Sequence, residues 1–228
     1  MRKGENARND LLKAACGMFD KNGYEAVSVK DITDALGWAK SLFYYYYPNK
    51  EELMRACAMY RAEELKARID ERITQAELTP PERLDRVLSC MGFWGGDAYD
   101  AAYALGNFFL PENLPWRVYL REQTAALLGN ICAETIVQGM EDRTLFAADP
   151  AVAGECAVRL AEALAERLVP LLRDGSQESI HAAYDLVCGY RRVIEHLVEA
   201  PIGSLAIVNA QFLADTAKIL SGQKSEEK

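Results

Sequence analysis

Lys40, Tyr44, Tyr45 and Tyr46 are residues whose types and spacing suit contact with a charged polymer. They belong to the run Lys40-Ser41-Leu42-Phe43-Tyr44-Tyr45-Tyr46-Tyr47-Pro48-Asn49-Lys50. Successive residues step ~100° around a helix, so four tyrosines in a row cannot all face a core. Phe43 and Tyr47, four apart, suit the inner face, which leaves Lys40, Tyr44, Tyr45 and Tyr46 spread over the outer faces. A lysine meets phosphates or guanine edges. A phenol offers a hydroxyl to phosphate and a ring face to a thymine methyl. Lys50, at the start of the next predicted helix, adds an ammonium to a helix N-terminus, a phosphate clamp. This is equipment for the major groove of double-stranded DNA. The same aromatic spacing also suits a helical hairpin packed in a core.

Other chemistry has little to stand on. The two histidines are His181 and His196. Glu178 and His181 have the Glu-x-x-His spacing of carboxylate-bridged di-iron bundles, but His196 has Val193 three residues before it, so no second motif exists. The six cysteines, Cys16, Cys57, Cys90, Cys132, Cys156 and Cys188, stand singly among apolar residues and none forms Cys-x-x-Cys. They read as small buried hydrophobes. No dinucleotide fingerprint, P-loop or nucleophile elbow is present. No enzyme activity, metal or cofactor is expected.

The elements that must position the Lys40–Tyr46 segment follow from its flanks. Ser28 can cap a short helix, and Asp31 three residues later completes a capping box. Val29, Ile32 and Leu36 give that helix an inner face, and Gly37 ends it. A second short helix over 39–46 stops before Pro48, which disfavours helical geometry at Tyr47. Two short helices around a glycine-containing turn form a helix-turn-helix. A first helix over 7–22, with Leu11, Leu12, Ala15, Met18 and Phe19 inward, completes a three-helix bundle. Asn49 caps a long helix over 49–72, which spans ~36 Å and acts as a lever out of the small bundle.

Beyond it, helices are predicted over 81–93, 98–110, 116–141, 151–173, 177–199 and 205–220, with Pro170 a kink or an earlier stop and a polar tail from 221. Half the residues are hydrophobic, enough for a sizeable core, and no run of 18 apolar residues suggests a membrane span. The polar N-terminus lacks an apolar signal region, so a cytoplasmic protein is expected. Net charge is −8. Residues 1–55 hold 9 basic and 8 acidic side chains, which leaves 17 and 26 for the rest. A near-neutral N-terminal domain on an acidic body leaves DNA affinity to a few placed contacts.

The segment from Ala7 to Leu53 resembles the DNA-binding domain of TetR/AcrR-type transcriptional regulators. The resemblance rests on Phe19-Asp20-Lys21-Asn22-Gly23-Tyr24, then Ser28-Val29-x-Asp31-Ile32, then Leu36-Gly37, then Lys40 through Leu53. It covers about a fifth of the chain. Three positions depart from the family pattern. Ala39 stands where a serine often caps the recognition helix. Ser41 and Leu42 replace a glycine and a threonine that commonly touches phosphate; Ser41 can supply the hydroxyl instead.

The resemblance implies an all-α protein with an N-terminal helix-turn-helix domain over 1–53. A long helix joins it to a larger helical ligand-binding and dimerisation domain over 54–228. It implies DNA contacts from Ser28, Lys40, Ser41, Tyr44, Tyr45, Tyr46 and Lys50, and a ligand-responsive homodimeric repressor on a palindromic operator. An effector pocket, largely apolar with a few polar groups, is expected from Met91, Trp94, Tyr103, Asn107, Phe108, Trp116, Tyr119 and Gln123. The eighth and ninth predicted helices, 151–173 and 177–199, are expected to pair in a homodimer through Leu160, Leu164, Leu168, Tyr184, Val187, Arg191 and Ile194. The alternative is a helical interaction or small-molecule-binding protein without sequence-specific DNA binding.

Overall fold

The helices begin and end where side chains can satisfy their terminal backbone groups. The computed structural model describes residues 2–74, 77–90 and 113–222. Its helices are α1 (Arg2–Asn22), α2 (Val29–Leu36), α3 (Lys40–Tyr46), α4 (Lys50–Thr74), α5 (Pro80–Cys90), α6 (Leu114–Glu141), α7 (Pro150–Asp174), α8 (Gln177–Leu197) and α9 (Ala210–Leu220). No strand occurs among the described residues, so the fold is all-α. The predicted helix over 98–110 and the polar tail from 223 lie outside them.

Ser28 caps α2 in a closed capping box. Its hydroxyl accepts from the Asp31 N–H at 3.2 Å, and Asp31 Oδ2 accepts from the Ser28 N–H at 2.8 Å. Gly37 ends α2 in the left-handed region at φ 66°. The Trp38 N–H reaches back to the Thr33 carbonyl at 2.8 Å and the Gly37 N–H to Asp34 at 3.1 Å. That pair of bonds is a Schellman stop, which glycine tolerates because it has no Cβ to clash. Asn49 caps α4 by accepting from the Glu52 N–H at 2.8 Å, and Asp149 caps α7 ahead of Pro150 by accepting from Ala151 and Val152. Pro170 does not stop α7, which runs on to Asp174, because a proline about one turn from the end forfeits one hydrogen bond.

The chain divides into two compact units. The first comprises Met1–Leu65 and Asn107–Thr124, the second Lys66–Gly106 and Ala125–Lys228. Both α4 and α6 therefore contribute residues to each. The first unit is larger than the 1–53 domain expected from sequence. Its core holds Leu11, Leu12, Ala15, Cys16 and Phe19 of α1, Ile32 of α2, Phe43 of α3, Tyr47 just beyond it, Leu53, Met54, Cys57 and Ala58 of α4, and Trp116 of α6. Each fully buried large side chain contributes ~1.5–3 kcal/mol of burial free energy.

In the second unit α7 and α8 pack along their lengths and α9 packs on both. Gly154 lets α7 approach α6 closely: a Cβ there would lie 2.5 Å from the Gly129 carbonyl oxygen and 2.8 Å from the Ala133 nitrogen. The helix expected over 205–220 begins only at Ala210. Two carboxylates hold the preceding loop in non-helical form. Glu195 Oε1 accepts from the Gly203 and Leu205 N–H groups, and Asp85 Oδ1 accepts from those of Ala206 and Ile207.

Candidate nucleic-acid interface

The α3 helix lies with Phe43 fully buried and turns its other faces outward. Lys40, Ser41, Tyr44 and Tyr45 are exposed, Tyr44 by 54% and Tyr45 by 79%. Lys40 and Tyr44 are four apart, as are Ser41 and Tyr45, so the four side chains form two adjacent rows.

Tyr46, expected on the outer face, is only half-exposed. Its ring packs at 6.4 Å from Trp38 and edge-on at 5.0 Å from Tyr45, so it props the outward Tyr45 ring. Ser28 is exposed, but its hydroxyl hydrogen goes to Asp31 Oδ2 at 2.6 Å, and the capping box takes its acceptor capacity too. The hydrogen bonds from Ser28 hold the Asp31 carboxyl below the ordinary carboxylate range.

Lys50 departs from the expected free phosphate clamp. Its ammonium donates to the Tyr24 carbonyl at 2.8 Å and the Val27 carbonyl at 2.9 Å, and sits 4.0 Å from the Tyr24 ring centroid. Two of its three N–H groups thus fix the α1–α2 loop, and burial lowers its pKa below that of an open lysine.

Three side chains of α6 or its threshold join this unit. The Tyr24 N–H donates to Asn113 Oδ1 at 3.1 Å. Trp116 is fully buried, its ring 5.9 Å from Phe19 and its indole N–H donating to Asp20 Oδ1 at 3.1 Å. Arg61 of α4 pairs with the other oxygen of Asp20. Tyr119 lies beside Arg55, which donates to its hydroxyl at 3.2 Å. Trp116 and Tyr119, expected at an effector pocket, are both packed into the first unit, Trp116 in its core and Tyr119 against it. Gln123 is exposed. Met91, Trp94, Tyr103, Asn107 and Phe108 lie outside the described residues.

In the second unit Leu164, Leu168, Val187 and Ile194, expected at a dimer contact, are buried within their own chain. Leu160 and Arg191 are half-buried, and Tyr184 is exposed. Val152 and Val193 add exposed apolar surface on α7 and α8, and Arg167 lies over the Tyr190 ring. An open groove of about 700 Å³ runs past Ala133 and Val137 of α6 and Pro150 and Ala151 of α7.

Among the described residues no group of three or more metal-ligating side chains occurs, and no helix is long and apolar enough to cross a membrane. The six cysteines are free thiols, four of them buried. Cys57 donates to the Leu12 carbonyl, and its thiol is held well above the ordinary range by its hydrogen bond with Cys16 and by burial. Burial alone pushes Cys132 up to about 12.

A short, outward helix of cationic and phenolic residues on a small helical bundle defines a helix-turn-helix module. Residues 11–57 match the family described as bacterial regulatory proteins, tetR family. Over 87 residues it is 28% identical to the HTH-type transcriptional repressor AcnR of Corynebacterium efficiens, covering 36% of this chain and 46% of that protein. The AcnR of Corynebacterium glutamicum matches equally. The chain thus aligns with about half the length of these curated relatives. A TetR-family regulator from Pectobacterium atrosepticum superposes with TM-score 0.62 at 17% identity, over 88% of this chain and 98% of that one. A transcriptional regulator from Saccharomonospora viridis, solved in complex with choline, does so with TM-score 0.56 at 19% identity, over 85% and 98%. At these identities the two structures speak for the fold.

Proposed function

We propose that this chain is a ligand-responsive, homodimeric transcriptional repressor that binds a palindromic operator in double-stranded DNA. The observation that carries the reading is the exposed row of Lys40, Ser41, Tyr44 and Tyr45 on α3, held out by a core that buries Phe43. Lysine and tyrosine at these positions can read base edges and grip phosphates together. The AcnR proteins, which match this chain over 87 residues, are named as repressors. The Saccharomonospora viridis regulator, which shares the fold, carries a small molecule, and this supports an effector for this chain as well.

One helix of seven residues discriminates little by itself; two, placed ~34 Å apart by a dimer, read both halves of a palindrome. The outward surfaces of α7 and α8, with Val152, Leu160, Tyr184 and Val193, are the proposed dimer contact. The protein acts in the cytoplasm by binding, without turnover. The effector shifts the balance between two arrangements of the dimer, only one of which fits the half-site spacing. The lever read in α4 gains a second arm in α6, through Trp116 and Tyr119.

The test is binding of the purified protein to a duplex from the promoter region of its own gene, beside a scrambled duplex of equal length. Preference for the promoter duplex with two protomers per site is expected. Equal affinity for both would overturn the reading in favour of a helical interaction protein.

A further inference from the structure

The cations of the helix-turn-helix are not equally available to DNA. Lys50 is engaged by two carbonyls, Arg55 pairs with Glu51 and Glu52, and Arg61 pairs with Asp20 and Glu64. Leu42 has no hydroxyl to offer a phosphate. Arg8, on the first third of α1, is different. It is exposed, and among the described residues no carboxylate lies within ion-pair distance of it. What holds it is a tyrosine. Arg8 Nε donates to the Tyr47 hydroxyl at 3.1 Å, and the guanidinium carbon lies 5.7 Å from the Tyr47 ring centroid. The Tyr47 ring itself is fixed in the core, only 5% exposed. A guanidinium needs little further ordering when one N–H and its stacking face are already engaged, and its two terminal amino groups remain free to fork onto a phosphate.

Its place in the fold gives the partner. Tyr47 is the residue that ends α3. A seven-residue helix is ~10.5 Å long, close to the ~12 Å width of the major groove. The end of such a helix therefore faces the phosphate strand that bounds the groove. We propose that Arg8 is a DNA-phosphate contact, pre-positioned by Tyr47 at the C-terminal end of α3. It adds a cation whose terminal N–H groups, unlike two of those of Lys50, are not engaged by backbone carbonyls. The inference rests on the DNA-binding reading above and adds to it a specific residue outside the helix-turn-helix.

Phosphate contacts carry no sequence information but set the salt dependence of binding, with a slope of ~−0.9 in log K against log salt per contact. The experiment is a salt titration of binding to the promoter duplex and to a scrambled duplex, for wild type, Arg8→Ala, Arg8→Lys and Tyr47→Phe. Arg8→Ala is expected to reduce the slope by ~0.9 per bound protomer and to weaken both duplexes by the same factor. Arg8→Lys should restore most of the slope. Tyr47→Phe keeps the charge and the buried ring, so it should keep the slope and lose affinity several-fold. Because Arg8 is exposed, helical content by circular dichroism should match wild type. A wild-type slope in Arg8→Ala, with wild-type DNA binding intact, overturns this inference alone. Absence of salt-sensitive binding by the wild type overturns the DNA-binding reading, and this one with it.

Discussion

The indole N–H of Trp116 donates to Asp20 Oδ1 at 3.1 Å, on the carboxylate whose other oxygen meets Arg61. One acidic side chain of α1 thus ties together α4 and the first turn of α6. Trp116 is a core residue of the first unit, and its ring rests on Phe19 of the same helix as Asp20.

This placement has a measurable cost. Trp116→Phe keeps an aromatic ring and removes one hydrogen bond, for a loss of about 1 kcal/mol. Trp116→Ala also opens a cavity, for a loss of about 3–5 kcal/mol. Denaturant midpoints should fall in that order. A Trp116→Ala protein as stable as wild type would contradict the packing described.

Ala39 occupies the cap of α3 with extended backbone, φ −73° and ψ 144°, and no side-chain acceptor. The geometry is that of a serine cap lacking its hydroxyl. Ala39→Ser should raise stability by about 0.5–2 kcal/mol, because the new oxygen can accept from the N–H of Ser41 or Leu42. The check is a thermal or denaturant melt, and no gain would mean that the first turn of α3 is already satisfied.

The Ser28–Asp31 box ties stability to pH. Bonding to Ser28 depresses the Asp31 carboxyl in the folded state. Its contribution is therefore fully present above the ordinary carboxylate range. It is lost as pH falls through the depressed folded value, where the native state must take up the proton. Ser28→Ala removes the cause, so the variant should be less stable at neutral pH by about 1 kcal/mol and should lose less on acidification. Stability curves for the two proteins that stay parallel down to acid pH would contradict this.

The local grammar of the helix-turn-helix was legible because its causes are local. Ser28 with Asp31, Gly37 before the turn, Pro48 after α3 and Asn49 before α4 each act within four residues of themselves. The outward turn of Tyr44 and Tyr45 follows from helical geometry once Phe43 is inside.

What was not legible depends on which helices meet. The spacing of Trp116 and Tyr119 says that they share a face of α6, and nothing in it distinguishes a ligand pocket from the side of α1. Leu164, Leu168, Val187 and Ile194 show the same limit: an apolar stripe reads alike whether its partner is within the chain or on a second copy. The loop before α9 looked helical from its apolar spacing, because the acceptors that hold it open, Glu195 and Asp85, lie elsewhere in the chain. Arg8 was missed for that reason too, since it meets Tyr47 across 39 residues of sequence.

The exposed face of α3 is the proposed DNA-reading surface. The direct measurement is the affinity of Lys40→Ala and Tyr45→Ala for the promoter duplex, with sedimentation of the free proteins alongside. Each variant is expected to lose ~1–3 kcal/mol, about ten- to a hundredfold in affinity, with its oligomeric state unchanged. Wild-type affinity in both variants would contradict the account, because the DNA would then be held by some other surface.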